Sequence, residues 1–175
     1  QVPQIEQSST TVFVAKNGKF VGYITIADQI KQESKVALAE LAKSGCTTVM
    51  LTGDGKAVAK TVASELGIEN YHAELLPQDK VAVVEQLKQK GVVAFVGDGI
   101  NDAPVLVASD VGIAMGAMGS DVAVESADIV LMNDNPKAIV TAKKIAKKTL
   151  AIVKQNIVFS IAVKVAVLIL SAIGL

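Results

Sequence analysis

The chain has 175 residues, enough for one domain of ordinary size, and 51% of them are hydrophobic. Its 17 basic residues balance its 17 acidic ones, which removes any overall electrostatic case for nucleic-acid binding. With 1 cysteine, neither a disulfide framework nor a zinc site built on paired cysteines is available.

In chain order, Thr11–Val14 and Lys19–Ile26 are apolar or alternating runs around Asn17-Gly18, a strong signal for a β-hairpin. Asp28 to Ser34 is polar and reads as a hinge. From about Glu33 to Leu131 strand-like and helix-like segments alternate, which predicts a parallel sheet covered on both faces. Within it, the strand-like run Thr47–Leu51 leads into Thr52-Gly53-Asp54-Gly55 and then a helical pattern of Ala57, Val58, Thr61, Val62 and Leu66. Pro77 suits the first position of a helix running to about Gln89. Lys80 then falls in its first turn, beside the positive end of the macrodipole, where a cation is unfavourable unless an anion is next to it.

The apolar run Val92–Val96 predicts a buried strand that ends in Gly97-Asp98-Gly99-Ile100-Asn101-Asp102, and Pro104 opens a short apolar helix. Cys46 reads as a small buried hydrophobe and His72 as structural. Asn135-Pro136 reads as N-cap and first residue of a helix that puts Ile139, Ala142, Ala146, Leu150 and Val153 on one face. Lys143, Lys144, Lys147, Lys148 and Lys154 precede an apolar run from Ile157 to Leu175, interrupted only by Ser160, Lys164 and Ser171. That length nearly spans a hydrocarbon core of about 30 Å, and the lysine cluster marks its cytoplasmic side. The lipid bilayer is therefore an expected partner. Lys164 falls about 10 Å into the span, where an ammonium usually faces a polar interior.

Read singly, the loops are ordinary: a Gly-Asp turn closed by Asx hydrogen bonds, a solvated lysine, a cap hydroxyl. Together they form a set suited to phosphoryl transfer, with a hydroxyl and an amide for phosphoryl oxygens, a lysine for charge, and carboxylates for a hard cation such as Mg²⁺. Strand ends of this kind are also where ligands bind in open α/β sheets.

The order Thr52-Gly53-Asp54, then Pro77-Gln78-Asp79-Lys80, then Gly97 to Pro104 resembles the haloacid dehalogenase superfamily, and specifically the phosphorylation domain of P-type ATPases. Val111–Gly116, Asp121–Ala123 and Ala127–Leu131 are also similar to that family. The resemblance implies a Rossmann-like parallel sheet flanked by helices, preceded by a β-hairpin and followed by a transmembrane helix. It implies that Thr52 and Gly53 contact the transferred phosphoryl, with Asp54 in the same phosphate-facing loop, and that Lys80 pairs with that group. Asp98 would be the Mg²⁺ ligand, with Asn101 and Asp102 completing the metal and phosphate shell; ATP and Mg²⁺ are the cofactors implied. The stretch Asn156–Lys164 is similar to zinc, cadmium and lead exporters, where the intramembrane lysine is a counter-charge near the transported divalent cation. The Tyr-Asn pair of copper exporters is absent from this region.

The resemblance also implies an organisation: the tail of a nucleotide-binding domain at 1–27, a phosphorylation-domain core at 28–134, a connecting basic amphipathic helix at 135–156, and a transmembrane helix at 157–175. The family's nucleophilic aspartate lies in an Asp-Lys-Thr-Gly-Thr element that does not occur in these residues. A covalent aspartyl-phosphate needs that carboxylate, so it is expected from an upstream remainder of the same polypeptide. The chain alone is then expected to be inactive. In the family, the strand leading to that aspartate lies between the strands carrying the second and fourth motifs, so without it two sheet edges are expected to lack a partner.

Three readings of function follow. The first is part of an ATP-driven heavy-metal exporter residing in the membrane, with the copper exporters as its near alternative. The second is a soluble phosphatase of the same superfamily, which needs its own nucleophile and no membrane span. The third is a non-catalytic scaffold, against which the intact phosphate and Mg²⁺ motifs count.

Overall fold

A computed structural model describes residues 10–26, 29–98, 101–116, 121–133 and 135–174. Asp28 of the expected hinge, and Gly99 and Ile100 of the loop after the expected strand at 92–96, lie outside the described residues.

Strands β1 (Thr10–Lys16) and β2 (Lys19–Ile26) form the expected antiparallel hairpin. Its turn places both Asn17 (φ 52°) and Gly18 (φ 74°) in the left-handed region, the backbone that a two-residue turn needs to match strand twist. Phe13 stacks obliquely on Phe20 and Tyr23, with ring centroids 6.3 and 6.5 Å apart.

The alternating portion follows as α1 (Gln32–Lys43), β3 (Val49–Leu51), α2 (Lys56–Leu66), β4 (Asn70–His72), α3 (Pro77–Lys88), β5 (Ala94–Gly97), α4 (Ala103–Ala108), β6 (Val111–Met115), α5 (Asp121–Ser126) and β7 (Ile129–Leu131). All of its strand pairs are parallel: β3 with β4, β5 with β6, and β6 with β7. Among the described residues the strands form two groups, β3-β4 and β5-β6-β7, in which β3 and β5 each have one partner. These are the strands that carry the second and fourth motifs; β4 and β7 likewise have one partner each among the described residues.

Burial is concentrated around β6 and α4. Leu106 and Ala114 are fully buried, with Phe95, Ala127 and Val130 packed on them. Burying a leucine this way stabilises by about 1.5–3 kcal/mol. The backbone of α4 runs so close to β6 that a Cβ on Gly112 would begin 2.8 Å from the Leu106 carbonyl oxygen. The Gly112 N–H donates to the Asp128 carboxylate at 2.8 Å, tying β6 to the approach to β7. On the other side, Ala37 of α1 and Ala59 and Ala63 of α2 are buried, and Lys35 bonds Glu65 at 3.1 Å. Cys46 departs from expectation: it is half-buried rather than buried, with its Sγ 3.8 Å from Ser44 Oγ. It precedes β3 at the surface end of the strand, where little of the chain covers it.

From Ala138 onward the chain is a unit of its own. It is dominated by α6 (Lys137–Ala172), a single helix of 36 residues, about 54 Å long at 1.5 Å per residue. The Lys137 N–H donates to Asn135 Oδ1 at 3.0 Å, the expected capping role. The expected basic segment and apolar segment are one unbroken helix, long and apolar enough to cross a membrane and with none of its apolar window buried.

Candidate active site

The Thr52–Asp54 loop closes on itself at the end of β3. Thr52 Oγ1 donates to Asp54 Oδ2 at 2.7 Å, and the Asp54 N–H donates to Thr52 Oγ1 at 3.1 Å. The Thr52 N–H continues the ladder to the His72 carbonyl at 3.0 Å. The Cα of Gly53 faces the connection that follows β4, where an added Cβ would lie 3.3 Å from the Leu75 carbonyl oxygen.

That connection is bonded to the loop by its backbone. The Glu74 N–H donates to the Asp54 carbonyl at 2.9 Å, and the Leu75 N–H donates to the Thr52 carbonyl at 3.1 Å. Two residues later Pro77 starts α3. Its first turn is fixed by Asp79, whose carboxylate accepts the Leu76 N–H at 3.0 Å. This satisfies one of the donors that a helix start leaves open and puts negative charge at the dipole's positive end.

Lys80 stands in that first turn with the anion beside it that its position demands. Its Nζ donates to Asp102 Oδ1 at 2.6 Å, and both side chains are 16% exposed. The anion is supplied by the chain itself, from the loop that follows β5. Asp102 also starts α4, its carbonyl accepting the N–H groups of Val105 and Leu106, both at 2.9 Å. At the far end of α3, Lys88 donates to the Ala108 carbonyl at the end of α4 at 2.7 Å. Helices α3 and α4 are therefore clamped at both ends by lysines of α3. The sequence reading missed Lys88, because its partner is a backbone carbonyl and leaves no pattern in side-chain identity.

Asp98 and Asn101 lie on the same loop as Asp102. Both are exposed, and the Asn101 N–H donates to Asp98 Oδ1 at 3.3 Å. The structure thus brings Lys80 against Asp102 and Asp98 against Asn101, and it anchors the Thr52–Asp54 loop to the start of α3. Lys164 lies exposed on α6, in the separate unit.

This donor set suits a hard cation. Mg²⁺ is usually held by one or two carboxylates and fills its remaining positions with water and phosphate oxygens. The Asp98 carboxylate is exposed at the end of β5, and Asp102 adds a second carboxylate on the same loop. Among the described residues no group of three or more acidic, His or Cys side chains is placed to hold a metal ion by itself.

Residues 2–110 match the family model for haloacid dehalogenase-like hydrolases. The chain is 49% identical over 96% of its length to a zinc-transporting ATPase of Synechocystis, covering 24% of that protein. It is 51% identical over 97% of its length to a cadmium, zinc and cobalt-transporting ATPase of Bacillus subtilis, covering 25% of it. Its fold matches the crystal structure of a zinc-transporting PIB-type ATPase in its E2·Pi state, with TM-score 0.85, 39% identity, and coverage of 95% of this chain and 27% of that one. The chain therefore spans about a quarter of the length of these relatives.

Proposed function

This chain belongs to the haloacid dehalogenase-like hydrolase family, and we propose that it is the phosphorylation-domain core and following membrane helix of an ATP-driven heavy-metal exporter of the P-type. In this reading residues 1–27 end the nucleotide-binding domain, 28–134 form the core, 135–156 connect, and 157–175 enter the bilayer. The cargo is a divalent cation of the zinc, cadmium or lead kind. The nucleophilic aspartate comes from the upstream remainder of the polypeptide.

The observation that carries the reading is the Lys80–Asp102 contact at 2.6 Å. It joins two loops 22 residues apart that have separate parts in phosphoryl transfer. Lys80 supplies a positive charge held by Asp102 next to the end of β5, and it would pair with the transferred phosphoryl group. The Thr52 hydroxyl and the Gly53 N–H address phosphoryl oxygens. Asp98, with Asp102 and Asn101, would hold Mg²⁺, which when bound neutralises phosphate charge. Positioning and preorganised charge are what phosphoryl transfer asks of a protein. Lys164 provides the counter-charge for the transported ion. The exposed apolar helix α6 disfavours the soluble-phosphatase reading.

The test is phosphoenzyme formation from ATP by the full-length protein in membranes, with zinc, cadmium, lead and copper compared. Zinc-group stimulation that is lost in Lys80→Ala supports the reading. A phosphoenzyme that forms equally well without Lys80, or stimulation by copper alone, overturns it.

A further inference from the structure

Glu74 has a backbone that its residue type does not favour. Its φ is +58°, the left-handed region that glycine and asparagine enter readily and glutamate rarely does. Beyond Asn17 of the hairpin turn, it is the one non-glycine residue in that region among the described residues. Such outliers persist where the surroundings over-determine them.

Here the surroundings are the Thr52–Asp54 loop. The left-handed turn lets two successive N–H groups, those of Glu74 and Leu75, reach the carbonyls of Asp54 and Thr52 at 2.9 and 3.1 Å. It also redirects the chain into Leu76 and Pro77, where α3 begins. The side chain makes a second, weaker link, with Lys56 Nζ 3.5 Å from Glu74 Oε2 and both groups well exposed. An exposed pair of this length contributes little, so the backbone is the larger effect.

We infer that Glu74 is a positioning residue for phosphoryl transfer: its left-handed turn sets the Thr52–Gly53 loop relative to the first turn of α3, and hence relative to Lys80. This inference rests on the phosphate-facing role proposed for Thr52 and Gly53. Misplacing such a loop by a fraction of an ångström costs catalysis more than binding, because the geometry matters most in the transition state.

The test compares Glu74→Val, Glu74→Ala and Glu74→Gly in the full-length protein, with Thr52→Ala as reference. Valine strongly disfavours the left-handed region, alanine disfavours it less, and glycine accepts it. The expected result is kcat for ATP hydrolysis lowered about tenfold in Glu74→Val, an intermediate value in Glu74→Ala, and a value within about twofold of the parent in Glu74→Gly. The KM for ATP stays the same throughout, while inhibition by vanadate, a phosphoryl mimic, weakens in the same order as kcat. Should Glu74→Val fail to fold, the ordering of alanine below glycine carries the test. Equal activity of all three variants overturns the inference. So does equal loss in all three, which would assign the effect to the carboxylate instead of the backbone. If Thr52→Ala disables the enzyme while the Glu74 series is flat, only the positioning role falls. If Thr52→Ala is itself without effect, the phosphate-facing reading falls and takes this one with it.

Discussion

Lys80 Nζ and Asp102 Oδ1 lie 2.6 Å apart, each on a side chain that is mostly buried. One belongs to the first turn of α3, the other to the residue that starts α4. The pair is a hydrogen-bonded ion pair across two helix starts. It places a lysine where the helix dipole alone would oppose it.

Removing one partner leaves the other charge part-buried and alone. Lys80→Met is expected to destabilise the protein by about 1–3 kcal/mol, seen as a fall of several degrees in Tm, and to abolish phosphoenzyme formation. The double variant Lys80→Met/Asp102→Leu is expected to recover most of the lost stability, since replacing both partners by apolar groups is often near neutral. It should recover none of the activity. A double variant no more stable than Lys80→Met would show that the pair is not what ties these helix starts together.

Gly97 sits under Asp102. A Cβ there would begin 2.9 Å from the Phe95 ring and 3.1 Å from Asp102 Oδ2, so Gly97→Ala is expected to push the carboxylate off Lys80. Activity should fall about tenfold or more, the effect of a catalytic group displaced by up to about 1 Å. The coupling between Lys80 and Asp102, measured by a double-mutant cycle in the Gly97→Ala background, should shrink toward zero. An undiminished coupling refutes the steric account.

Gly112 has less room still, because the obstacle is backbone. Its Cβ would begin 2.8 Å from the Leu106 carbonyl oxygen, and α4 cannot yield as a flexible side chain would. Gly112→Ala is expected to cost about 1–3 kcal/mol, read as a lower Tm. In contrast, Gly55→Ala meets nothing within 4 Å and should leave the unfolding free energy within about 0.5 kcal/mol of the parent.

Lys164 lies within the apolar part of α6. Lys164→Ala in the full-length protein is expected to change cation-stimulated turnover by roughly tenfold, equivalent to about 1.4 kcal/mol, while basal phosphoenzyme formation from ATP persists. Unaltered turnover and metal selectivity would remove Lys164 from the ion's route.

Much of this architecture was legible because its signals are local. Asn17-Gly18 marked the hairpin turn, Pro77 and Pro104 marked the helix starts, and Asn135 marked the cap of α6. Strand limits were less so: the strand-like run at 47 and the apolar run at 92 begin before β3 and β5, whose ends are set by pairing with β4 and β6 and not by hydrophobicity. The motif residues could be named from their order, and Lys80's need for an anion could be argued from its helix position. That the anion is Asp102 could not, since the contact joins residues 22 apart in sequence. Glu74 carried no signal at all, because its part is played by a backbone angle and two carbonyl bonds that any residue type leaves unwritten. Cys46 was placed too deep because residue type alone says nothing of how much chain covers a strand's end.

Helix α6 runs 36 residues without a proline or glycine, so it lacks the residues at which helices commonly kink. A rod of about 54 Å that swings by about 5° at one end sweeps the other sideways by about 5 Å, close to the pitch of one helical turn. Small rotations where this rod begins are therefore magnified, undamped by any joint, into atomic-scale displacements at the depth of Lys164 and beyond.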